Sequence, residues 1–291
     1  MIVVRAESEA PAAPVRAWVE ANWRRQDGHA SGSDEVTLLA CGDAIERMPS
    51  LVRSLLVTDA PTALLWVGGP KIGLPLPNVP LYGFLREVDR FIIDSRKLPS
   101  DTMLLDFHRI TEELPSLEVA DLSWIGVRPL RGLLAALFDP PHDPSTLEVL
   151  ERVRVTSGVA GTQSRALLTL GWLASRLGWR DFRSDPRAPA DLRRWHATRA
   201  AGGEVIIELA TELGGATHGV VGLRLEARGR VWSLERDQTC IDVRAPDAPR
   251  RMQPARSHPD AELVAAALGA RGRDPVFPAA LACAAHLVGA P

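Results

Sequence analysis

Short apolar runs alternate with helix-like patterns over the first third of the chain. Runs predicted as strands are Ile2–Val4, Glu35–Ala40, Thr62–Val67 and Phe91–Ile93. Segments predicted as helices are Pro14–Arg25, with Val15, Trp18 and Val19 on one face, Asp43–Val57 and Val79–Arg90. Because such alternation is typical of βαβ units, we expect a Rossmann-like α/β domain with a mainly parallel, doubly wound sheet over residues 1–124.

The pattern changes after this point. Leu130–Phe138 is a predicted helix that ends in the proline-rich FDPPHDP, and Glu151–Thr156 is a predicted strand followed by a helix over Thr162–Leu177. Four closely spaced strands follow: Glu204–Ala210, Val220–Glu226, Val231–Arg236 and Ile241–Arg244. A predicted loop, Ala245–Pro254, leads to two predicted helices, Asp260–Leu268 and Pro278–Val288. We therefore expect an α+β domain with an antiparallel sheet over residues 125–291.

Composition narrows the class of protein. The 291 residues are 46% hydrophobic and 24% charged, with a formal net charge of -2, which does not favour nucleic acid as a partner. Arg193, Arg194, Trp195 and Arg199 form a basic patch that we interpret as a solvated helix face. No apolar run approaches the roughly 20 residues of a membrane span. The three cysteines are scattered, so we expect a reduced, cytoplasmic protein.

Local motifs point to no catalytic chemistry. The seven histidines show no metal-ligand spacing, and no nucleophile or phosphate-loop pattern occurs, so we expect neither a metal nor a cofactor. One ligand cleft stays open as an alternative: Gly68, Gly69 and Lys71 follow a predicted strand, and Asp94 and Ser95 end another. We favour surface-loop and strand-end roles for these residues.

The segment Gly171–Trp179, GWLASRLGW, places two tryptophans and two glycines in nine residues. Apolar residues spaced by three and four predict a buried stripe, and the small residues permit another element to approach closely. Gly178 is a suitable stop for the helix. Physical chemistry alone therefore predicts a packed central helix.

The same segment resembles the hallmark helix of the glucose-6-phosphate dehydrogenase assembly protein family (OpcA). Three further pieces resemble family motifs in matching order: EVTLLACGD with SLVRSLLVTDAPTALLWVGG, FIIDSR at Phe91–Arg96, and DLSWIGVRPLRGLLAALFDPP at Asp121–Pro141. The resemblance covers roughly residues 35–245. The chain departs from the family pattern at Gly126 and Leu130.

The resemblance implies a non-enzymatic partner of glucose-6-phosphate dehydrogenase. Such a protein promotes the active oligomer of that enzyme and so supports NADPH supply through the pentose phosphate pathway. Aromatic and arginine side chains dominate binding energy at interfaces, so Trp124, Arg128, Arg131 and Trp172 are candidate partner-binding residues. Two alternatives remain: a sugar-phosphate- or nucleotide-binding protein or enzyme that uses the cleft near Lys71 and Asp94, and a structural protein that self-associates.

Overall fold

The computed structural model describes most of the chain, in fourteen stretches. They are residues 2–7, 13–26, 29–41, 44, 47–57, 61–66, 80–98, 100–139, 144–158, 163–212, 219–246, 248–256, 258–270 and 272–291. Contacts divide the chain into two compact units, Met1–Leu64 with Leu74–Asp89, and Leu65–Gly73 with Arg90–Pro291. The division into domains over residues 1–124 and 125–291 stays a prediction.

Fourteen strands and eight α-helices lie in the described residues. The strands are β1 Ile2–Glu7, β2 Ala13–Gln26, β3 His29–Cys41, β4 Ala63–Trp66, β5 Arg90–Ile93, β6 Glu118–Asp121, β7 Arg152–Gly158, β8 Arg180–Ser184, β9 Leu192–Thr198, β10 Glu204–Glu212, β11 Gly219–Ala227, β12 Arg230–Arg236, β13 Cys240–Arg244 and β14 Arg251–Pro254. The helices are α1 Met48–Leu55, α2 Pro80–Leu85, α3 Met103–Glu113, α4 Leu122–Gly126, α5 Arg128–Ala136, α6 Ser164–Leu177, α7 Asp260–Gly269 and α8 Phe277–Gly289.

The first unit contains a three-stranded sheet in the order β1-β3-β2. β1 pairs with β3 in parallel and β2 pairs with β3 antiparallel. Its core is formed by Leu38, Met48, Val52 and Phe84. The helix predicted from Asp43 is shorter, since α1 begins at Met48; Asp43 itself lies outside the described residues.

The predicted helix Pro14–Arg25 is wrong, because this segment is strand β2. Its apolar residues fit a period of two (Val15, Ala17, Val19) as well as a helical face, and pairing with β3 from Ala13 to Gln26 decides between the two. Trp18 and Val19 are 38% and 67% exposed, so they do not form the buried face that the helix required.

A second three-stranded sheet has the order β4-β5-β6, with β5 and β6 parallel. β4 passes from the first unit into the second. The predicted single, doubly wound sheet is therefore not confirmed: the four strands expected in it are divided between two small sheets. What the structure does contain is a small parallel pairing and a large sheet covered by helices.

The large sheet has eight strands in the order β14-β13-β12-β11-β7-β10-β9-β8. The hairpin predicted at Arg228 and Gly229 is confirmed as β11–β12, with both residues at positive φ. The sheet is mixed rather than antiparallel, because β7 and β10 are parallel. Two segments predicted otherwise are strands: the patch around Trp195 is β9, not a helix face, and part of the loop Ala245–Pro254 is β14.

Helix α6 explains the segment GWLASRLGW as packing. It contacts β7, β10 and β11 on one side and lies along α8 on the other. An added Cβ on Gly171 would overlap the carbonyl oxygen of Ala280 and the backbone nitrogen of Ala284, so only glycine fits there. Gly178 ends the helix at φ +65°, in the left-handed region, as the sequence predicted.

Candidate partner-binding surface

Trp124 and Arg131, two of the predicted partner-binding residues, contact each other inside the second unit. The guanidinium of Arg131 lies 3.1 Å from the centroid of the Trp124 ring. Trp124 is 3% exposed, its indole Nε1 donates to Asp274 Oδ2 at 2.7 Å, and its ring packs on Phe277. Burial lowers the pKa of Arg131 to about 10, against the attraction of Asp274. These contacts stabilise the start of α5 and leave little of either side chain for a partner.

Arg128 and Trp172 lie elsewhere. Arg128 is exposed at the start of α5, and Trp172 is half-buried on α6. Among the described residues, no ring contact or ion pair joins Trp172 to the other three. The predicted set is therefore not one patch, and Arg128 is its accessible member.

The alternative ligand cleft is described only in part. Gly68, Gly69 and Lys71 lie outside the described residues. Asp94 accepts a hydrogen bond from the backbone N–H of Arg96 and pairs with the guanidinium of the same residue at 2.6 Å. The N–H of Ser95 donates to Asp121 Oδ1 at 3.1 Å. Asp94 and Ser95 therefore make strand-end bonds, the structural role that sequence reasoning set beside the functional one.

Asp121 is fully buried at the end of β6, where its Oδ1 also accepts the N–H of Ser123 at 2.9 Å. Burial raises its pKa to about 6, although the hydrogen bonds of Ser95 and Ser123 act in the opposite direction. The folded state therefore holds this proton more tightly than the unfolded chain, whose pKa is near 3.8. Stability from this group is fully present below the unfolded pKa and is lost as pH rises through the folded pKa.

Asp121→Asn is expected to remove this pH dependence. The free energy of unfolding of the variant, minus that of the wild type, should rise by up to about 3 kcal/mol between pH 4 and pH 7. Denaturant unfolding at several pH values measures the difference, with exposed Asp139→Asn as the control. A difference independent of pH would show that Asp121 is not perturbed.

An unexpected row of mostly charged side chains crosses the large sheet. Six strands place one residue each in the same register row: Arg194, Glu208, Arg154, Arg224, Ser233 and Arg244. We call this row and its neighbours on the same side, Arg152, His196, Glu226, Glu235 and Asp242, the outer sheet face. The opposite side holds Val153, Val155, Ile207, Leu209 and Leu225, all at most 1% exposed beneath the helices.

Glu208 organises the middle of the outer sheet face. It is 0% exposed and pairs with Arg154 at 2.7 Å, Arg194 at 2.9 Å and Arg152 at 3.3 Å. Burial raises its pKa, but the hydrogen bonds of Arg154 and Arg194 outweigh burial, so the net pKa is lowered. Three guanidiniums thus share the Glu208 carboxylate, while Arg152 also pairs with Glu226 at 3.8 Å and Arg194 with Asp185 at 3.3 Å.

The arginines around this centre remain accessible. The side chains of Arg154, Arg224 and Arg244 are 41%, 51% and 52% exposed. The signal of Arg154 in the sequence is the alternation of arginine and valine over residues 152–155. Sequence reasoning predicted that strand but missed the row, because a row across six strands depends on register.

The described residues contain neither a metal-binding cluster nor a membrane-spanning helix. No cluster of three or more His, Cys, Asp or Glu side chains could hold a metal ion there. No helix in the same stretches combines the length and apolar character needed to cross a bilayer.

Two solved structures are similar to this chain in fold. An NAD binding oxidoreductase from Klebsiella pneumoniae has a TM-score of 0.51 at 11% identity, over 87% of this chain and 81% of that one. The transcriptional regulator Gal80p from Kluyveromyces lactis has a TM-score of 0.50 at 7% identity, over 87% and 78%. At these identities the likeness shows the fold alone.

Family models identify the chain more closely. The model for the N-terminal domain of the glucose-6-phosphate dehydrogenase subunit matches residues 1–109, and the model for its C-terminal domain matches residues 117–281. The chain therefore belongs to the OpcA family of glucose-6-phosphate dehydrogenase subunits, which confirms the resemblance of its motifs.

Curated relatives carry the same family name. Proteins called OxPP cycle protein OpcA from Synechocystis sp. and Nostoc punctiforme are each 28% identical to this chain, over 145 and 199 residues. The matched regions cover 50% and 66% of this chain. They span only 29% and 41% of those relatives' own lengths.

Proposed function

We propose that this chain is a non-catalytic, cytoplasmic subunit that binds glucose-6-phosphate dehydrogenase and promotes its active oligomer. Family membership over both matched domains supports this function. In physical terms, a subunit that binds only the active conformer shifts the population toward it, by no more than the difference between its affinities for the two states.

The outer sheet face is the observation that carries the proposal. Its row crosses six strands and carries an arginine on four of them, with half-buried Ile206 and Val231 beside these arginines. Arginine is enriched at interfaces because its planar fork forms paired hydrogen bonds with carboxylates. We infer that the dehydrogenase meets this face with an acidic surface.

Kinetics and mass together test the function. We expect initial velocities of the host glucose-6-phosphate dehydrogenase, measured against substrate concentration, to show a lower half-saturation or a higher maximal rate when this protein is added. Mass photometry of the same mixture should show a heavier species that neither protein forms alone. Unchanged velocities together with unchanged masses would contradict the proposal.

A second outcome separates binding from activation. A heavier species with unchanged velocities would show that the chain binds the dehydrogenase but does not activate it. Oligomers of this chain alone, without effect on the enzyme, would instead favour the self-associating alternative.

A further inference from the structure

A pocket of about 310 Å³ opens in the second unit, away from the outer sheet face. Its charged lining is Arg165 from α6, Arg236 at the end of β12 and Arg256 after β14. Its apolar wall is formed by Val127, Leu130, Leu133, Val220 and Ile241. Small-molecule sites typically combine an apolar wall with a few polar or charged groups, and buried charges are usually paired.

The two inner arginines have unsatisfied donors. Among the described residues, the buried Nε atoms of Arg165 and Arg236 have no hydrogen-bond partner. Arg236 donates only from Nη2, to the carbonyl oxygen of Arg256 at 3.3 Å, and no ion pair to Arg165 occurs in those stretches. In the described part of the chain, Arg131 Nη1 and Arg199 Nε also lack a hydrogen-bond partner, but neither residue lines this pocket, whereas Arg165 and Arg236 line it together.

Backbone geometry leaves room for the Arg165 guanidinium. An added Cβ on Gly126 would lie 3.0 Å from its Nη2, and one on Gly219 would lie 3.0 Å from its Nη1. Gly219 has a φ of +88°, in the left-handed region that glycine adopts most readily. The guanidinium is thus held between two positions where side chains would crowd it.

The surroundings disfavour the charge on Arg165 while the pocket is empty. Burial lowers the pKa of Arg165, the nearby charges of Arg96 and Arg236 lower it further, and Asp94 and Asp121 only partly offset them. An anion in the pocket would satisfy the free donors and neutralise the excess charge.

We propose that this pocket binds a small phosphomonoester with an apolar substituent. Guanidinium forks match the oxygen geometry of a phosphate, and a dianion matches several cations better than a single carboxylate does. The apolar wall would cover the substituent, and the volume lies within the range of small-molecule sites. This inference does not depend on the proposed dehydrogenase partner, since the isolated chain contains every residue involved.

Calorimetric titration of the isolated protein tests the ligand class with three probes. Phenyl phosphate is expected to bind saturably, with a Kd of roughly 0.1 to 1 mM. Inorganic phosphate should compete for the site about tenfold more weakly, because it leaves the apolar wall uncovered. Phenol, which lacks the anion, should give no saturable heat.

Variants assign the binding to the pocket. Arg165→Met is expected to weaken phenyl phosphate binding at least tenfold without lowering the thermal midpoint of the empty protein, because it removes a desolvated and unpaired charge. Arg256→Gln changes an exposed side chain, so this variant should fold even if Arg165→Met does not. Because Arg256 lines the pocket, its loss should weaken phenyl phosphate binding severalfold. Arg176→Gln, at the exposed end of α6, is the matched control and should bind like the wild type.

Three results would overturn the proposal. They are the absence of saturable phenyl phosphate binding up to about 10 mM, equal affinity for inorganic phosphate and phenyl phosphate, and unchanged affinity in folded Arg165→Met and Arg256→Gln. None of them bears on whether the chain binds the dehydrogenase.

Discussion

Gly171→Ala is expected to lower the free energy of unfolding by about 3 kcal/mol. The new methyl group would overlap backbone atoms of Ala280 and Ala284 on α8, and a backbone cannot move aside as the end of a flexible side chain can. Ala280 and Ala284 are both 0% exposed, so α8 must separate from α6 and disturb the core around it.

Thermal unfolding followed by circular dichroism measures this effect. A loss of this size corresponds to a midpoint about 6 to 12 °C lower for a unit of this length. Gly132→Ala is the matched control, since it changes the same residue type on α5, where an added Cβ meets nothing within 4 Å. That variant should gain about 0.5 to 1 kcal/mol, because alanine favours a helix more than glycine does. Equal midpoints for the two variants would mean that α6 and α8 are not closely packed.

Arg224→Glu is expected to raise the Kd of the complex with glucose-6-phosphate dehydrogenase about 100-fold, if the outer sheet face is the interface. Arg224 stands near the middle of the face, opposite Arg154 in the register and 51% exposed. Reversal of its charge would place a carboxylate against the acidic surface that we propose for the enzyme. The fold loses only the exposed ion pair between Arg224 and Glu226, and such pairs contribute at most about 1 kcal/mol. Titration of labelled protein into the enzyme measures the Kd.

Two other variants serve as a control and as a test of a different interface. Arg187→Glu reverses an exposed charge in the loop between β8 and β9, outside the face, and should leave the Kd unchanged. Arg128→Ala tests the exposed residue that sequence reasoning placed at the interface. A large loss from Arg128→Ala with none from Arg224→Glu would move the interface to the start of α5.

The elements with strong local signals were predictable. The hairpin around Arg228 and Gly229, helix α6 with its stop at Gly178, and the two closing helices all occur where the pattern placed them. Each depends on a short-range cause, such as a turn residue at positive φ or a stripe of apolar side chains. The family was predictable too, because its motifs are contiguous segments.

Segments whose pattern fits two periods were not predictable. Residues 13–26 satisfy both a helical and a strand repeat, and only the partner strand β3 selects the strand. Arg193, Arg194 and Arg199 suggested a solvated helix face around Trp195, yet Leu192–Thr198 is a strand and Trp195 points into the core at 2% exposure. In both cases tertiary pairing overrides local preference.

The sequence by itself determined the family, most of the second unit's strands and the central packed helix, because these follow from contiguous residues. Only the tertiary structure decided what the arginines do. The row from Arg194 to Arg244 exists because sheet register aligns six separate strands, and the pocket exists because Arg165, Arg236 and Arg256 converge from three distant elements. Register and convergence depend on long-range packing, which no window of the sequence contains.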